Sequence, residues 1–325
     1  MNFELSRLPR IIFGAGKIRQ LPALVGHYGA NVLVLTGNRS WENSAWWLQL
    51  GTELKQSGLN CYRESVPAEP TPDLVDYLVS EYADRRIDVV LAVGGGSTLD
   101  AGKAVAGLLR VGCSVMDYLE GVGLERVYTG PAVPFIAVPT TAGTGSEATK
   151  NAVLSRQGDG GFKKSFRSDQ LMAQVALIDP DLLASCPPRV IAANGMDALT
   201  QLIESYVSTR QNPLCNALGE KAMRMSRTAL PDLYQSAGKD PSARAAMAFA
   251  ALVSGINLAH TGLGSVHGLA SPLGAYHPVP HGVACGTLLA AATEINIQAM
   301  QRREPENPGL ARYHQVAQIL CGRHF

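Results

Sequence analysis

Charge is scarce in this sequence of 325 residues. Asp, Glu, Lys and Arg make up 17% of the chain, below the roughly 25% that is usual in soluble domains. The formal net charge is +1, and aromatic residues account for only 6%. Proteins that bind nucleic acids or anionic membrane surfaces present clustered Lys and Arg, so we expect neither partner. Apolar residues make up 46%, which predicts a large core and a subunit interface, and we expect a homodimer.

Paired cysteines and a leader segment are also missing. The six cysteines are scattered and form no Cys-x-x-Cys motif, which argues against a disulfide framework or a zinc ribbon. The first residues, MNFELSRLPR, carry charge where a signal peptide needs an apolar region. The longest uncharged stretch is interrupted by Gly, Pro, His and Asn, so we expect no transmembrane helix. These features predict a cytoplasmic protein with reduced thiols.

The two halves of the chain follow different patterns. The first half alternates short β-branched runs (NVLVLTG, IDVVLAVGGG, PFIAVPTT, VALIDP) with helical patterns such as LVDYLVSEYADRR and TLDAGKAVAGLL. This alternation predicts a parallel sheet with helical crossovers, a Rossmann-like α/β fold. After Leu182 only helical patterns follow, beginning with NGMDALTQLIESYVS. We therefore predict a dinucleotide-binding α/β domain at 1–182 and an all-helical catalytic domain at 183–325.

A glycine-rich turn follows the second predicted strand. Four small residues separate that strand from the next helix: Gly94, Gly95, Gly96 and Ser97. Glycine lets the backbone approach an anion, and the N–H groups of a helix N-terminus favour a phosphate. The spacing matches neither a P-loop nor a GxGxxG fingerprint. A tight turn without a ligand is the equal alternative.

A second loop of similar character strengthens the phosphate interpretation. PTTAGTGSEATKN follows another predicted strand and offers Thr140, Thr141 and Thr144. Two such loops at the carboxyl ends of parallel strands favour a dinucleotide over a single phosphate. The alternative is a solvated loop of threonines and glycines.

The end of the first predicted strand bears on which dinucleotide binds. An acid often holds the adenine ribose of NAD at this point. Here Gly37 is followed by Asn38, Arg39 and Ser40, so no carboxylate would repel the 2′-phosphate of NADP. Gly37 is therefore a candidate cofactor-binding residue, and NADP is a plausible cofactor beside NAD. The alternative is that Arg39 is an ordinary surface charge.

Candidate metal ligands occur in a helix and in a charge-free stretch. Asp197 and Gln201 are one helical turn apart, and a buried carboxylate needs a partner. His267 and His281 are each followed by Gly, within a stretch from 245 to 293 that contains no charged residue. Taken singly, the aspartate fits a helix cap or an ion pair, and each histidine fits a hydrogen-bonded core residue. Together they offer the nitrogen and oxygen donors that Zn²⁺ or Fe²⁺ binds.

At these residues the sequence resembles the iron-containing (group III) alcohol dehydrogenases, which belong to the dehydroquinate synthase-like superfamily. The matching segments occur in family order: FGAGKI, GGGSTLDAGKA, PTTAGTGSEAT, IDPDLL, GMDALTQLIESY and HGLASPLGAYHPVPHG. The resemblance implies an α/β domain followed by a helical domain, and three metal ligands at Asp197, His267 and His281. It also implies an NAD(P) cofactor that is contacted at the following positions: Gly94, Gly95, Gly96, Ser97, Asp100, Thr140, Thr141, Thr144, Asn151 and Lys163.

The chain departs from the family pattern at several points. Gln201 stands where the family usually has a fourth ligand, a histidine, and its amide oxygen is a weaker, neutral donor. Ser271 stands where the family often has a second histidine that relays protons. We therefore take Ser271 and His277 as candidate catalytic residues. Family members usually continue for several helices beyond the position of Phe325, so we expect the helical domain to be truncated.

These observations predict a metal-dependent alcohol dehydrogenase or aldehyde reductase that uses NAD(P) and Fe²⁺ or Zn²⁺ and acts on a small alcohol or aldehyde. One alternative is a lyase like dehydroquinate synthase, which needs a basic pocket for an acidic, phosphorylated substrate. The metal-bearing segment contains no Lys or Arg, which argues against that alternative. The other is a non-catalytic nucleotide-binding remnant, which Gln201, Ser271 and the early end of the chain favour.

Overall fold

The computed structural model describes residues 2–37 and 45–322. By backbone proximity the chain divides into two compact units. The α/β unit comprises Arg7–Thr140 and Ser146–Leu182, and the helical unit comprises Met1–Ser6, Thr141–Gly145 and Leu183–Phe325. The division into functional domains at residue 182 stays a prediction.

The α/β unit is built around a parallel sheet. Its strands are β1 (Arg10–Phe13), β2 (Asn31–Gly37), β3 (Asn60–Val66), β4 (Val89–Gly94), β5 (Phe135–Pro139), β6 (Asn151–Arg156), β7 (Phe162–Arg167) and β8 (Val175–Ile178). Six of them form one sheet in the order β1-β8-β5-β4-β2-β3, and all of its pairs are parallel. Strands β6 and β7 form a separate antiparallel hairpin.

Helices cover both faces of the sheet. They are α1 (Leu21–Gly26), α2 (Ala45–Gln56), α3 (Pro72–Tyr82) and α4 (Gly96–Leu108). Alternate residues of β2 and β4 point to opposite faces: Leu33 and Val90 join the core under α3 and α4, and Val32 and Leu91 join the core under α1 and α2. A sheet that is buried on both faces explains the continuous β-branched runs of its central strands.

The predicted strands and helices of the first half are confirmed as β2, β4, β5, β8, α3 and α4. Strands β1 and β3 were not predicted because they form the two edges of the sheet. Edge strands are partly exposed, so β3 has the mixed sequence NCYRESV in place of an apolar run. The hairpin was also missed, since β7 has the sequence FKKSFR.

The helical unit confirms the prediction for the second half. Within the described residues it contains six α-helices: α5 (Pro188–Val207), α6 (Pro213–Gln235), α7 (Pro241–Thr261), α8 (Ser265–Tyr276), α9 (His281–Arg303) and α10 (Pro308–Cys321). One core forms where α5, α6, α7 and α10 meet, around Leu202, Met223, Val253 and Val316. A smaller one joins α8 to α9, around Val266, Ala270 and Cys285.

Two of these helices are long and apolar enough to cross a membrane, which the sequence-based expectation did not foresee. They are α7 and α9. The most apolar segment of α7 is 67% buried within the fold, and the corresponding segment of α9 is 11% buried. Burial of α7 is the usual behaviour of a core helix. Length and composition alone are weak grounds for a membrane span.

Candidate functional site

Helix α5 supplies two buried carboxylates from one of its faces. Asp197 and Glu204 are two helical turns apart, so their side chains project from the same side. Both are buried, with exposed fractions of 1% and 6%. Asp197 lies in the middle of the helix, so it is not a helix cap.

Two histidines approach this face of α5 from the N-terminal turns of two other helices. His267 is in the first turn of α8, and His281 is the first residue of α9. The glycine after His281 has a steric role, since a Cβ at Gly282 would overlap the backbone carbonyl of Ala193 in α5. Absence of that Cβ lets α9 begin directly against α5 and so brings His281 close to Asp197.

The side chains predicted as metal ligands converge. His267 Nε2 lies 3.3 Å from Asp197 Oδ1, and His281 Nε2 lies 3.7 Å from the same oxygen. Their donor atoms, together with the Sγ of Cys285, all lie within 4.8 Å of one another. The structure thus brings Asp197 together with two histidines, the nearer of which lies 70 residues later in the sequence.

Glu204 orients His267 from the side opposite to Asp197. Its Oε2 lies 2.6 Å from His267 Nδ1, and its Oε1 accepts a hydrogen bond of 2.7 Å from the backbone N–H of Val266. A carboxylate can only accept, so Nδ1 carries a proton and Nε2 is left to face Asp197 and His281. This carboxylate–histidine arrangement is typical of metal sites. Sequence reasoning missed Glu204, although its spacing from Asp197 placed it on the same helical face.

The electrostatics of the cluster favour positive charge. Burial opposes ionisation of Asp197, but the hydrogen bond from His267 and the charges of His281 and His267 hold the pKa of Asp197 below its usual value. Burial likewise disfavours protonated His267, yet hydrogen bonds with Asp197, Cys285 and Glu204 raise the pKa of His267 well above its usual value. Two ionised acids therefore stabilise a cation at this point.

Gln201 and Ser271 lie on the helices that carry the ligands, and His277 follows one of them. Gln201 is buried on α5 one turn after Asp197, and its Oε1 has no hydrogen-bond partner within residues 2–37 and 45–322. Ser271 is partly buried on α8, one turn after His267. His277 is exposed at the end of α8. Their roles stay predictions.

Cys285 is a donor that sequence reasoning missed. It is fully buried on α9, one turn after His281. Its Sγ lies 3.7 Å from His267 Nε2 and 3.7 Å from His281 Nε2. Burial raises the pKa of the Cys285 thiol. The only sequence signal was its spacing from His281, which becomes informative once that segment is known to be helical.

The glycine-rich turn lies where the sequence predicted it, between β4 and α4. Helix α4 begins at Gly96, and its N-cap residue is Gly95, which has no side chain to cap the helix. A Cβ at Gly94 would overlap the side chain of Thr98, so glycine is needed for the strand to pass this close to the helix. The first N–H groups of α4 are available for an anion by the usual geometry of helix ends.

The neighbouring candidate cofactor residues are engaged in a buried network of the α/β unit. Asp100 accepts a hydrogen bond of 2.5 Å from the hydroxyl of Ser146 and lies 3.2 Å from the Nζ of Lys103. Lys103 also donates to Thr149 Oγ1 at 2.7 Å and to the backbone carbonyl of Asn151 at 2.6 Å. Asp100 and Asn151 therefore have structural partners of their own.

The remaining candidates are placed as follows. Lys163 donates to Glu69 Oε1 at 2.6 Å. Thr140 follows β5 in the α/β unit, whereas Thr141 and Thr144 lie in the segment assigned to the helical unit. Gly37 ends β2. The prediction of NADP depends on Asn38, Arg39 and Ser40, which lie outside the described residues.

Comparison with known families gives a consistent result over the whole chain. Residues 9–180 match the family described as iron-containing alcohol dehydrogenase, and residues 191–324 match its C-terminal family. The curated relatives include long-chain-alcohol dehydrogenase 1 of Geobacillus thermodenitrificans, 36% identical over 86% of this chain and 71% of the relative. They also include lactaldehyde reductase of Escherichia coli, 32% identical over 87% of this chain and 73% of the relative.

Solved structures agree on the fold. Sulfoacetaldehyde reductase from Bifidobacterium kashiwanohense, solved in complex with NAD⁺, superposes with a TM-score of 0.82 at 29% identity, covering 91% of this chain and 77% of that chain. The matches to several further curated relatives cover 58% to 64% of their length. The predicted fold class is confirmed. The predicted function is confirmed at the level of the family, because the relatives of this chain are alcohol dehydrogenases and aldehyde reductases.

Proposed function

The chain belongs to the iron-containing alcohol dehydrogenase family, and on that premise we propose that it is a metal-dependent alcohol dehydrogenase or aldehyde reductase that uses NAD(P). The observation that carries the proposal is the convergence of Asp197, His267 and His281 from three helices. Asp197 comes 70 residues before His267 in the sequence, and its buried carboxylate meets both imidazoles at one point.

The residues present suit a divalent cation. An anionic oxygen and two imidazole nitrogens are the donor types that Zn²⁺ and Fe²⁺ bind. Gln201 adds a buried amide oxygen that has no hydrogen-bond partner among the described residues. Asp197, His267 and His281 would hold the ion. When bound, the cation supplies Lewis-acid polarisation of a substrate oxygen.

The chain's own side chains prepare this site before substrate arrives. Glu204 fixes the tautomer and ring orientation of His267 through a hydrogen bond of 2.6 Å. Asp197 is kept ionised despite its burial. The surrounding segment from 245 to 293 contains no Lys or Arg that would compete for the carboxylates. Preorganised donors of this kind need no rearrangement during the reaction.

For the cofactor, we propose that NAD(P) binds at the glycine-rich turn. Its pyrophosphate would be held by the backbone N–H groups of Gly95, Gly96 and Ser97 at the N-terminus of α4. The nicotinamide supplies or accepts the hydride. The sulfoacetaldehyde reductase that shares this fold was solved with NAD⁺. The other candidate contacts are Gly37, Gly94, Asp100, Thr140, Thr141, Thr144, Asn151 and Lys163.

The proton that alcohol oxidation releases needs an acceptor. Ser271 lies one helical turn after His267, on the same side of α8. His277 ends that helix in an exposed position. We propose that Ser271 transfers the proton to His277 and that His277 exchanges it with solvent. The absence of charged side chains between 245 and 293 favours a small, uncharged alcohol or aldehyde as substrate.

The experiment is a turnover screen with matched variants. Purified protein is supplied with Fe²⁺ or Zn²⁺, with NAD⁺ or NADP⁺ and with a series of short alcohols, and the reverse reaction is run with the aldehydes. We expect cofactor reduction that depends on the metal and disappears in Asp197→Ala and His281→Ala. Unchanged turnover in both variants would contradict the proposal. Phosphate release from a sugar acid phosphate, without alcohol oxidation, would favour the lyase instead, and cofactor binding without metal or turnover would favour a remnant.

We further propose that the protein is a cytoplasmic homodimer and that it prefers NADP. Cell fractionation tests the location, and light scattering of the purified protein tests the oligomeric state. At least tenfold tighter binding of NADH than of NADPH would reverse the cofactor preference and the role given to Arg39.

A further inference from the structure

A thiol lies beside the three donor side chains of the candidate metal site. Cys285 Sγ lies 3.7 Å from the Nε2 atoms of both His267 and His281, and all four donor atoms fall within 4.8 Å. Helix α9 places this thiol one turn after His281, so the two side chains point to the same side. A buried cysteine usually packs among apolar groups. This one packs in the core between α8 and α9 and also presents its sulfur to two imidazole rings.

The distances match those of a tetrahedral metal site. A Zn–S bond of about 2.3 Å and a Zn–N bond of about 2.0 Å, at a tetrahedral angle, place sulfur and nitrogen about 3.5 Å apart. The corresponding separation of a nitrogen and an oxygen ligand is about 3.3 Å. The observed sulfur–nitrogen distances are both 3.7 Å, and the nitrogen–oxygen distances are 3.3 and 3.7 Å. These four separations are therefore close to those of a tetrahedral site, and all the donor atoms lie within 4.8 Å of one another.

We propose that the thiolate of Cys285 is the fourth metal ligand of this protein, completing an Asp–His–His–Cys donor set that selects Zn²⁺ over Fe²⁺. The proposal rests on the metal site of the proposed function. A soft thiolate favours zinc, whereas a set of imidazoles and carboxylates suits zinc and iron alike. The cysteine would take the place of the histidine that is replaced by Gln201 on α5.

Binding converts the thiol into a thiolate and requires unprotonated Nε2 atoms on both histidines. The thiol proton and any proton held at those nitrogens therefore go to solvent, with no oxidation or reduction. The carboxylate of Asp197 and the thiolate of Cys285 then supply two negative charges directly to the ion, and the carboxylate of Glu204 lies behind His267. Gln201 is the competing fourth ligand, but its amide carries no charge. In a segment without other charged residues, an anionic fourth ligand lowers the cost of burying a dication.

The test uses Co²⁺ as a spectroscopic probe in the full-length protein. Co²⁺ bound by a thiolate gives an intense near-ultraviolet charge-transfer band, whereas oxygen and nitrogen ligands give only the weaker visible bands. We expect the charge-transfer band in the wild type and in Gln201→Ala. In Cys285→Ser we expect the visible bands without the charge-transfer band. Cys215→Ser is the matched control and should leave the spectrum unchanged. Cys215 is buried on α6, where its Sγ accepts a hydrogen bond from Asn212 and its backbone carbonyl accepts one from Asn257.

A competition with a chelator tests the selectivity. We expect Cys285→Ser to reduce the affinity for Zn²⁺ at least about tenfold more than the affinity for Fe²⁺. Equal losses for the two metals would contradict the zinc selectivity. Should Cys285→Ser fail to fold, X-ray absorption of the zinc-loaded wild type decides the coordination, because one sulfur neighbour at about 2.3 Å is then expected.

The two proposals fail in distinguishable ways. Co²⁺ that binds to the wild type without a charge-transfer band would exclude Cys285 and leave the Asp197, His267 and His281 site intact. Persistence of the band in Cys285→Ser would assign the thiolate to another cysteine and overturn the proposal. Failure of Co²⁺ and Zn²⁺ to bind to the wild type would overturn both.

Discussion

Buried acids of the α/β unit face a lysine, whereas buried acids of the helical unit face histidines. In the first cluster the Nζ of Lys103 lies 3.2 Å from Asp100 Oδ1. Burial lowers the pKa of Lys103, and the attraction of Asp100 and Glu147 acts in the opposite direction. In the second, Asp197 and Glu204 bind the two nitrogens of His267. In the first cluster the counter-charge to the acids comes from a side chain of the protein itself, so the cluster needs no added ion. The Nε2 atoms of His267 and His281 can give up a proton and take a metal ion in its place, so their cluster is suited to bind one.

The largest expected effect is the loss of Zn²⁺ affinity when a metal ligand of the histidine cluster is replaced. Asp197→Asn removes an anionic donor and should lower Zn²⁺ affinity by at least about 1,000-fold, more than the 10- to 100-fold that outer partners of a metal site contribute. Metal competition measured by isothermal titration checks this value. Asp232→Asn, at an exposed position of α6, is the control and should bind metal like the wild type. Equal affinity of Asp197→Asn and wild type would exclude Asp197 as a ligand.

Replacing Lys103 should destabilise the α/β unit without changing how the protein binds metal. Lys103→Met leaves Asp100 and Glu147 without their buried counter-charge and should lower the free energy of unfolding by about 3 kcal/mol. Trp46 and Trp47 lie on α2 of the α/β unit, so urea unfolding followed by tryptophan fluorescence reports on this unit. The zinc content of the folded variant should stay normal. A stable Lys103→Met protein would show that the cluster tolerates unpaired acids.

A smaller loss is expected from the residue that orients the metal ligand. Glu204→Gln keeps an oxygen for the N–H of Val266 but presents an amide N–H to His267 Nδ1. The imidazole proton would then move to Nε2, the atom that should bind the metal. We expect a loss of zinc affinity of about 10- to 100-fold in a folded protein. Glu220→Gln, which changes a carboxylate that accepts from Tyr206, should bind zinc normally; a similar loss there would show that the effect is not specific.

The smallest effect is a difference in pH dependence. Burial raises the pKa of Glu147 to about 7 from its ordinary value of 4.5. The folded state therefore holds more protons than the unfolded state between these values. Stability from this group is full below the lower value and is lost as the pH rises toward 7. Relative to Glu147→Gln, the wild type should lose about 1 kcal/mol per pH unit between pH 5 and 7.

Urea unfolding of both proteins at pH 5, 6 and 7 measures this difference. Identical slopes would mean that Glu147 is ionised in the folded protein throughout this range. The lysine cluster would then hold two charged acids at once, which would make it more similar to the histidine cluster than we infer.

The same two regions show how far sequence reasoning reaches. Central strands β2 and β4 were predictable because burial on both faces demands continuous apolar runs. The edge strand β3 and the hairpin β6–β7 were not, because their exposed positions accept polar residues. Asp197, His267 and His281 were proposed from residue type and motif order. Cys285 and Glu204 were missed because their meaning depends on α9 and α5 bringing them to the same point, which spacing within one segment does not reveal.

Glu204 also couples the site to the backbone. One of its oxygens binds the His267 ring and the other binds the Val266 N–H, in the first turn of a helix that has no side-chain cap from its own N-cap residue. The start of α8 is therefore held by the carboxylate that aims the imidazole. Rotation of that ring and fraying of that helix end become one event, and hydrogen exchange at the Val266 amide reports on the geometry of the metal ligand.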